Sequence, residues 1–141
     1  MKIRRFGLYG LALALALFGC GMALAQDGNP PMSVVSLYHV APGKHLEFLK
    51  WMQAQEAVSR EAGVPAAQWY AHLDGDNWDY MAVSPATTDA QDKKVGDMMK
   101  QKGMATGMKA SLQFRTLIMD HTDTYSMGPQ SIDDLVKAAT Q

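Results

Sequence analysis

The sequence predicts an α+β domain in which a four-stranded antiparallel sheet carries two helices on one face, and three observations predict it. Residues 34–40 are rich in β-branched and aromatic side chains, a composition suited to a pleated strand. Pro42-Gly43 then breaks the strand, and from Lys44 the apolar spacing changes to that of an amphipathic helix: Phe48, Trp51, Met52, Gln55, Val58, Ser59 and Ala62 fall three and four apart. Finally, Asp74-Gly75-Asp76-Asn77 joins two aromatic-rich segments as a hairpin would, and a further helix and strand follow. The order is β-α-β-β-α-β, the split βαβ arrangement.

Each element has its own warrant. Along the first strand Val35, Leu37 and His39 point one way, and Val34, Ser36, Tyr38 and Val40 the other; both sides are largely apolar, as in a central strand. Gly63 is placed to end the first helix. Residues 66–73 and 78–83 form the hairpin strands, and the SPATT stretch at 84–88 interrupts the pattern. Residues 89–110 read as a second helix, weakened by Gly96, Gly103 and Gly107 and expected to break near Gly103. Residues 114–121 read as the fourth strand. A last short helix starts at Ser131, whose hydroxyl and Asp134 make a capping pair.

The chain divides into four parts. Residues 1–25 match a secretory signal peptide: basic Lys2, Arg4 and Arg5, an apolar middle at 8–18, and Ala23-Leu24-Ala25 as a small-x-small cleavage site. Cleavage after Ala25 makes the protein periplasmic or secreted. The alternative is a lipoprotein anchored through Cys20, since Leu17-Phe18-Gly19-Cys20 is like a lipobox. Residues 26–32 are a polar, proline-rich extended arm, 33–125 the domain, and 126–141 a tail with the short helix. The apolar run of the signal is shorter than the ~20 residues a membrane span needs.

Composition removes several function classes. Cys20 is the only cysteine, so a processed chain has no thiol chemistry and no disulfide. With Lys2, Arg4 and Arg5 removed from 13 basic residues, against 14 acidic ones, its net charge is about −4, which argues against nucleic-acid binding. No Ser-His-Asp, phosphate-loop or dinucleotide motif is present, and the acidic hairpin turn lacks the closing acid of a calcium loop.

The four histidines show no metal-ligand spacing. With strand order β4-β1-β3-β2, His39 and His121 are expected at far ends of neighbouring strands and His72 on the opposite edge, so no metal site is expected. Met98, Met99, Met104 and Met108 concentrate in the second helix, where thioethers fill irregular core space. Trp51, Trp69 and Tyr80 belong to the densest aromatic concentration and are candidates for lining a pocket between sheet and helices. His39 and Arg115, read as lying near facing ends of β1 and β4, are the candidate polar contacts of that pocket. Catalytic residues are not identifiable, and no role is assigned to the segment His121-Thr122-Asp123-Thr124. The sheet's uncovered face is apolar enough to predict a homodimer, sheet to sheet.

The strand, x-Pro-Gly, helix opening, the helix end at Ala62-Gly63 and the aromatic hairpin joined by DGDN resemble the ferredoxin-like, dimeric α+β barrel superfamily over about residues 33–125. That group includes antibiotic-biosynthesis-type monooxygenases, NIPSNAP-like proteins and haem-binding relatives. The resemblance implies a dimeric barrel and leaves three uses open. These are binding of a small apolar or aromatic ligand, a cofactor-light monooxygenase or haem-linked enzyme, and a structural or interaction role without ligand.

Overall fold

The computed structural model describes residues 31–141; the expected signal peptide, Cys20 and most of the expected arm lie outside the described residues. Four strands form one antiparallel sheet in the order β2-β3-β1-β4. They are β1 (Met32–Val40), β2 (Gln68–Ala71), β3 (Tyr80–Pro85) and β4 (Ile118–Met127), with helices α1 (His45–Glu61), α2 (Asp89–Gln101), α3 (Gly107–Arg115) and α4 (Ile132–Ala139). None of the helices among the described residues is long and apolar enough to cross a membrane.

The first unit forms as its residues dictate. Gly43 takes a positive φ of 75° in the turn after β1, and Gly63, at 89°, ends α1 while Val64 N–H donates to the Ser59 carbonyl at 2.9 Å. Phe48, fully buried, anchors α1 on the even-numbered face of β1, against Tyr38 with ring centroids 5.2 Å apart. Asp79 ties the hairpin to this centre: its carboxylate accepts from Val40 N–H at 2.7 Å, and its own N–H donates to the Tyr38 carbonyl at 2.8 Å. Tyr38, Val40, Phe48, Ala82, Leu117 and Ile118 make the core, with Trp51, Trp69, Tyr80 and Phe114 packed around it.

The second helical segment breaks near Gly103 as expected: α2 ends at Gln101, and α3 starts afresh at Gly107. Other boundaries move. Phe114 and Arg115 close α3 instead of opening β4. The apolar run around Leu117 suits a strand locally, but Phe114 is fixed in the helix by packing on Trp51 at 5.2 Å and Phe48 at 6.4 Å. β4 consequently begins at Ile118 and runs through the His121 to Tyr125 segment, which pairs with Val34 to Tyr38, on to Met127 opposite Met32. Likewise β3 continues to Pro85, through residues read as a break, and Met32 of the expected arm already belongs to β1.

Register assigns the faces. Val34, Ser36 and Tyr38 stand opposite Ser84, Ala82 and Tyr80 on β3, and opposite Tyr125, Asp123 and His121 on β4, so these share the helix-covered side. The other face carries Val35, Leu37, Met81 and Val83 at its centre, with Tyr70, Thr122 and Thr124 beside them. Nothing among the described residues covers it. The helical layer is thinner beyond α1: α2 leans on the end of α1, with Lys94 Nζ donating to the Ala62 carbonyl at 2.8 Å and Lys102 paired with Glu61 at 2.8 Å.

Candidate ligand-binding cleft

A cleft of about 350 Å³ lies between the covered face of the sheet and α1. Ser36, Tyr38, Ala82 and Trp69 supply its floor, because alternation sends these residues of three adjacent strands to one side. Met52, Gln55, Glu56 and Ser59 overhang it from α1, one helical turn apart in pairs. Trp69 stacks on Tyr38, ring centroids 5.7 Å apart and planes inclined by 19°. Glu56 is fixed by accepting from Ala67 N–H at 3.0 Å.

The polar centre of the floor is Ser36, only 5% exposed, whose hydroxyl donates to Asp123 Oδ1 at 2.6 Å. The other oxygen of Asp123 lies 3.5 Å from His121 Nε2. The carboxylate therefore stands between hydroxyl and imidazole, whereas nucleophile activation requires the imidazole in the middle. The arrangement holds an anion in place and does not generate a serine alkoxide. Burial pushes the Tyr38 phenol above its ordinary range; the Ser36 hydroxyl works against this and the negative charge of Asp123 adds to it.

Of the five residues expected from the sequence, the cleft is lined by Trp69. Tyr80 stacks on Phe48, centroids 5.7 Å apart, with its hydroxyl 3.4 Å from His45 Nδ1. Trp51 packs on Phe114 at the core margin. His39 is on the other face of the sheet, where its Nδ1 lies 3.0 Å from Asp120. Arg115 is the last residue of α3 and exposed, so the expected pairing of His39 and Arg115 across neighbouring strands does not occur. Ser36, Glu56 and Asp123 are the polar residues that sequence reasoning passed over. Ser36 carried a signal nonetheless, as the one polar side chain between Val34 and Val40 on the side that bears Tyr38.

The histidines are also redistributed. His121 stands directly opposite Tyr38, next to His39 in register, because β4 continues past it; alternation still sends the two rings to opposite faces. His72 packs on Trp78 at 4.8 Å in the hairpin, its Nε2 buried without a partner. Among the described residues no three His, Cys, Asp or Glu side chains converge as a metal ion would require, and no histidine or cysteine lines the cleft.

No protein-family model matches the sequence, and no curated protein sequence matches it. Solved structures do share the fold. SnoaB, a cofactor-independent oxygenase from Streptomyces nogalater, superposes with a TM-score of 0.50 at 16% identity, over 73% of this chain and 97% of that one. A protein from Arabidopsis thaliana does so with a TM-score of 0.50 at 10% identity, over 72% and 98%. A dimeric ferredoxin-like protein of unknown function from Thermobifida fusca gives 0.46 at 9% identity, over 72% and 93%. At these identities the likeness is one of fold. The chain has a ferredoxin-like α+β architecture, with the strand order that its sequence pattern implied.

Proposed function

We propose that the protein is an exported homodimer that binds a small apolar or aromatic molecule in the cleft between sheet and α1. The observation that carries the reading is the cleft itself: a concave site walled by Trp69, Tyr38 and Met52, with the Ser36 and Asp123 pair as a fixed polar group within it. Few convergent polar groups in an apolar cavity are the usual make-up of a ligand site. The volume suits a ligand at the small end of the usual range. Export rests on the signal-like pattern of residues 1–25.

Dimerisation rests on the uncovered face. Val35, Leu37, Met81 and Val83 form a contiguous apolar centre there, and a second copy would bury it against its own equivalent. The tail contributes too. Ile132, Leu135 and Val136 make an apolar stripe on α4, 72%, 47% and 55% exposed in the single chain, and this stripe would seat on the partner.

Native mass spectrometry with an absorbance scan of protein purified from its own host tests the reading. A dimer carrying an organic molecule of a few hundred daltons is expected. A dimer that arrives empty and gains no mass from any aromatic compound offered would refute ligand binding. The solved oxygenase of the same fold makes oxygen consumption the activity to assay once a ligand is in hand; turnover would convert the binding site into an active site.

A further inference from the structure

We infer that the ligand of the cleft is cationic, an amine carried on a flat apolar body. This rests on the cleft being the binding site and adds its charge preference. Glu56 and Asp123 both line the cleft, and no lysine, arginine or histidine does. Glu56 uses one carboxylate oxygen on Ala67 N–H and keeps the other; Asp123 uses one on Ser36 and has the second 3.5 Å from His121 Nε2, so Glu56 is the freer of the two.

The hydroxyl groups around them deepen the bias. Ser36 donates to Asp123, Ser59 to the Gln55 carbonyl at 3.3 Å, and Thr87 to Asp92 at 2.6 Å. Their hydrogens are spent within the protein, so these three offer an incoming molecule lone pairs only. A site of two carboxylates, in which three of the five lining hydroxyls have only lone pairs to offer, disfavours a carboxylate or phosphate and rewards a group with several N–H donors. The half-buried Trp69 supplies an electron-rich ring beside these charges, and indole is the aromatic side chain that attracts cations best. Two cations near the end of α1 are engaged elsewhere, Lys94 on the Ala62 carbonyl and Lys102 on Glu61.

Isothermal titration calorimetry with phenethylamine, phenethyl alcohol and hydrocinnamate separates charge from shape, since the three share a ring and differ in the terminal group. Phenethylamine is expected to bind about tenfold more tightly than the alcohol, the scale of one charge-assisted contact, and hydrocinnamate to bind weakest. Glu56→Gln and Asp123→Asn keep an oxygen able to accept from Ala67 and Ser36, so the internal bonds survive. Each is expected to lower amine affinity several-fold and leave the alcohol unchanged. Equal binding of amine and alcohol by the unaltered protein would overturn the charge preference and leave the cleft standing. Binding of none of the three at millimolar concentration would overturn the cleft and the preference together. An amine preference that persists in both variants would show that these carboxylates are not its source.

Discussion

At the scale of single residues, two side chains on the covered face bear the most weight. Phe48 is the fully buried large side chain of the core, in contact with rings from β1, β2, β3 and α3. Phe48→Ala should cost about 3–5 kcal/mol in a denaturant titration, since four neighbours cannot all relax into the void. Tyr38 couples the core to the cleft through its ionisation. Burial, the largest influence, holds its phenol protonated beyond the value of 10.0 expected of the unfolded chain. Between those two values the folded state keeps a proton that the unfolded state has released. The contribution to stability is therefore complete below pH 10.0 and is lost as pH rises through the folded-state value. Urea titrations at about pH 9 and about pH 11 should show Tyr38→Phe losing less stability between the two than the unaltered protein. Equal losses would place the alkaline sensitivity elsewhere.

Among the elements, local signals were legible where one segment decides its own structure. The Pro42-Gly43 turn, the Gly63 stop and the Ser131 cap depend on residues within a few positions, and all three stand as the sequence implies. The boundary between α3 and β4 was not legible, because Phe114 to Ile118 suits either state and the decision is made by Trp51 and Phe48, more than 60 residues away in the chain. That one boundary moved Arg115 off the sheet and went with a register that places Asp123 in the lining of the cleft, with His121 beside it. The site was thus half readable: its aromatic Trp69 could be named, but its polar centre depended on a register no local pattern reveals. The α4 cap gives an element-scale prediction. Ser131 holds the Asp134 carboxyl below its usual range, so the cap is intact above the ordinary carboxylate pKa and is lost as pH falls through the lowered value. Protection of the α4 amides, measured against the unstructured exchange rate at each pH, should fall on acidification across that window and be low already at neutral pH in Ser131→Ala. A helix whose exchange ignores both changes would be held by packing and not by its cap.

For the whole molecule, the two faces of one sheet differ: the covered face builds the cleft, and the open face is the contact of the proposed dimer. Leu37 stands at the centre of the open face, opposite Met81 and Thr122. Leu37→Glu should therefore turn a dimer into a folded monomer in light scattering at micromolar concentration, because like charges would meet across the two-fold contact. A variant that stays dimeric would move the contact elsewhere, α4 being the next surface to alter. The cleft is the central claim, and amide chemical-shift mapping tests it most directly. Titrated with phenethylamine, the isotope-labelled protein should show its largest shifts at Ser36, Trp69, Ala82 and the Gln55 to Ser59 turn of α1. Shifts centred on Val35, Leu37 and Met81 of the open face, or none at saturating concentration, would contradict it.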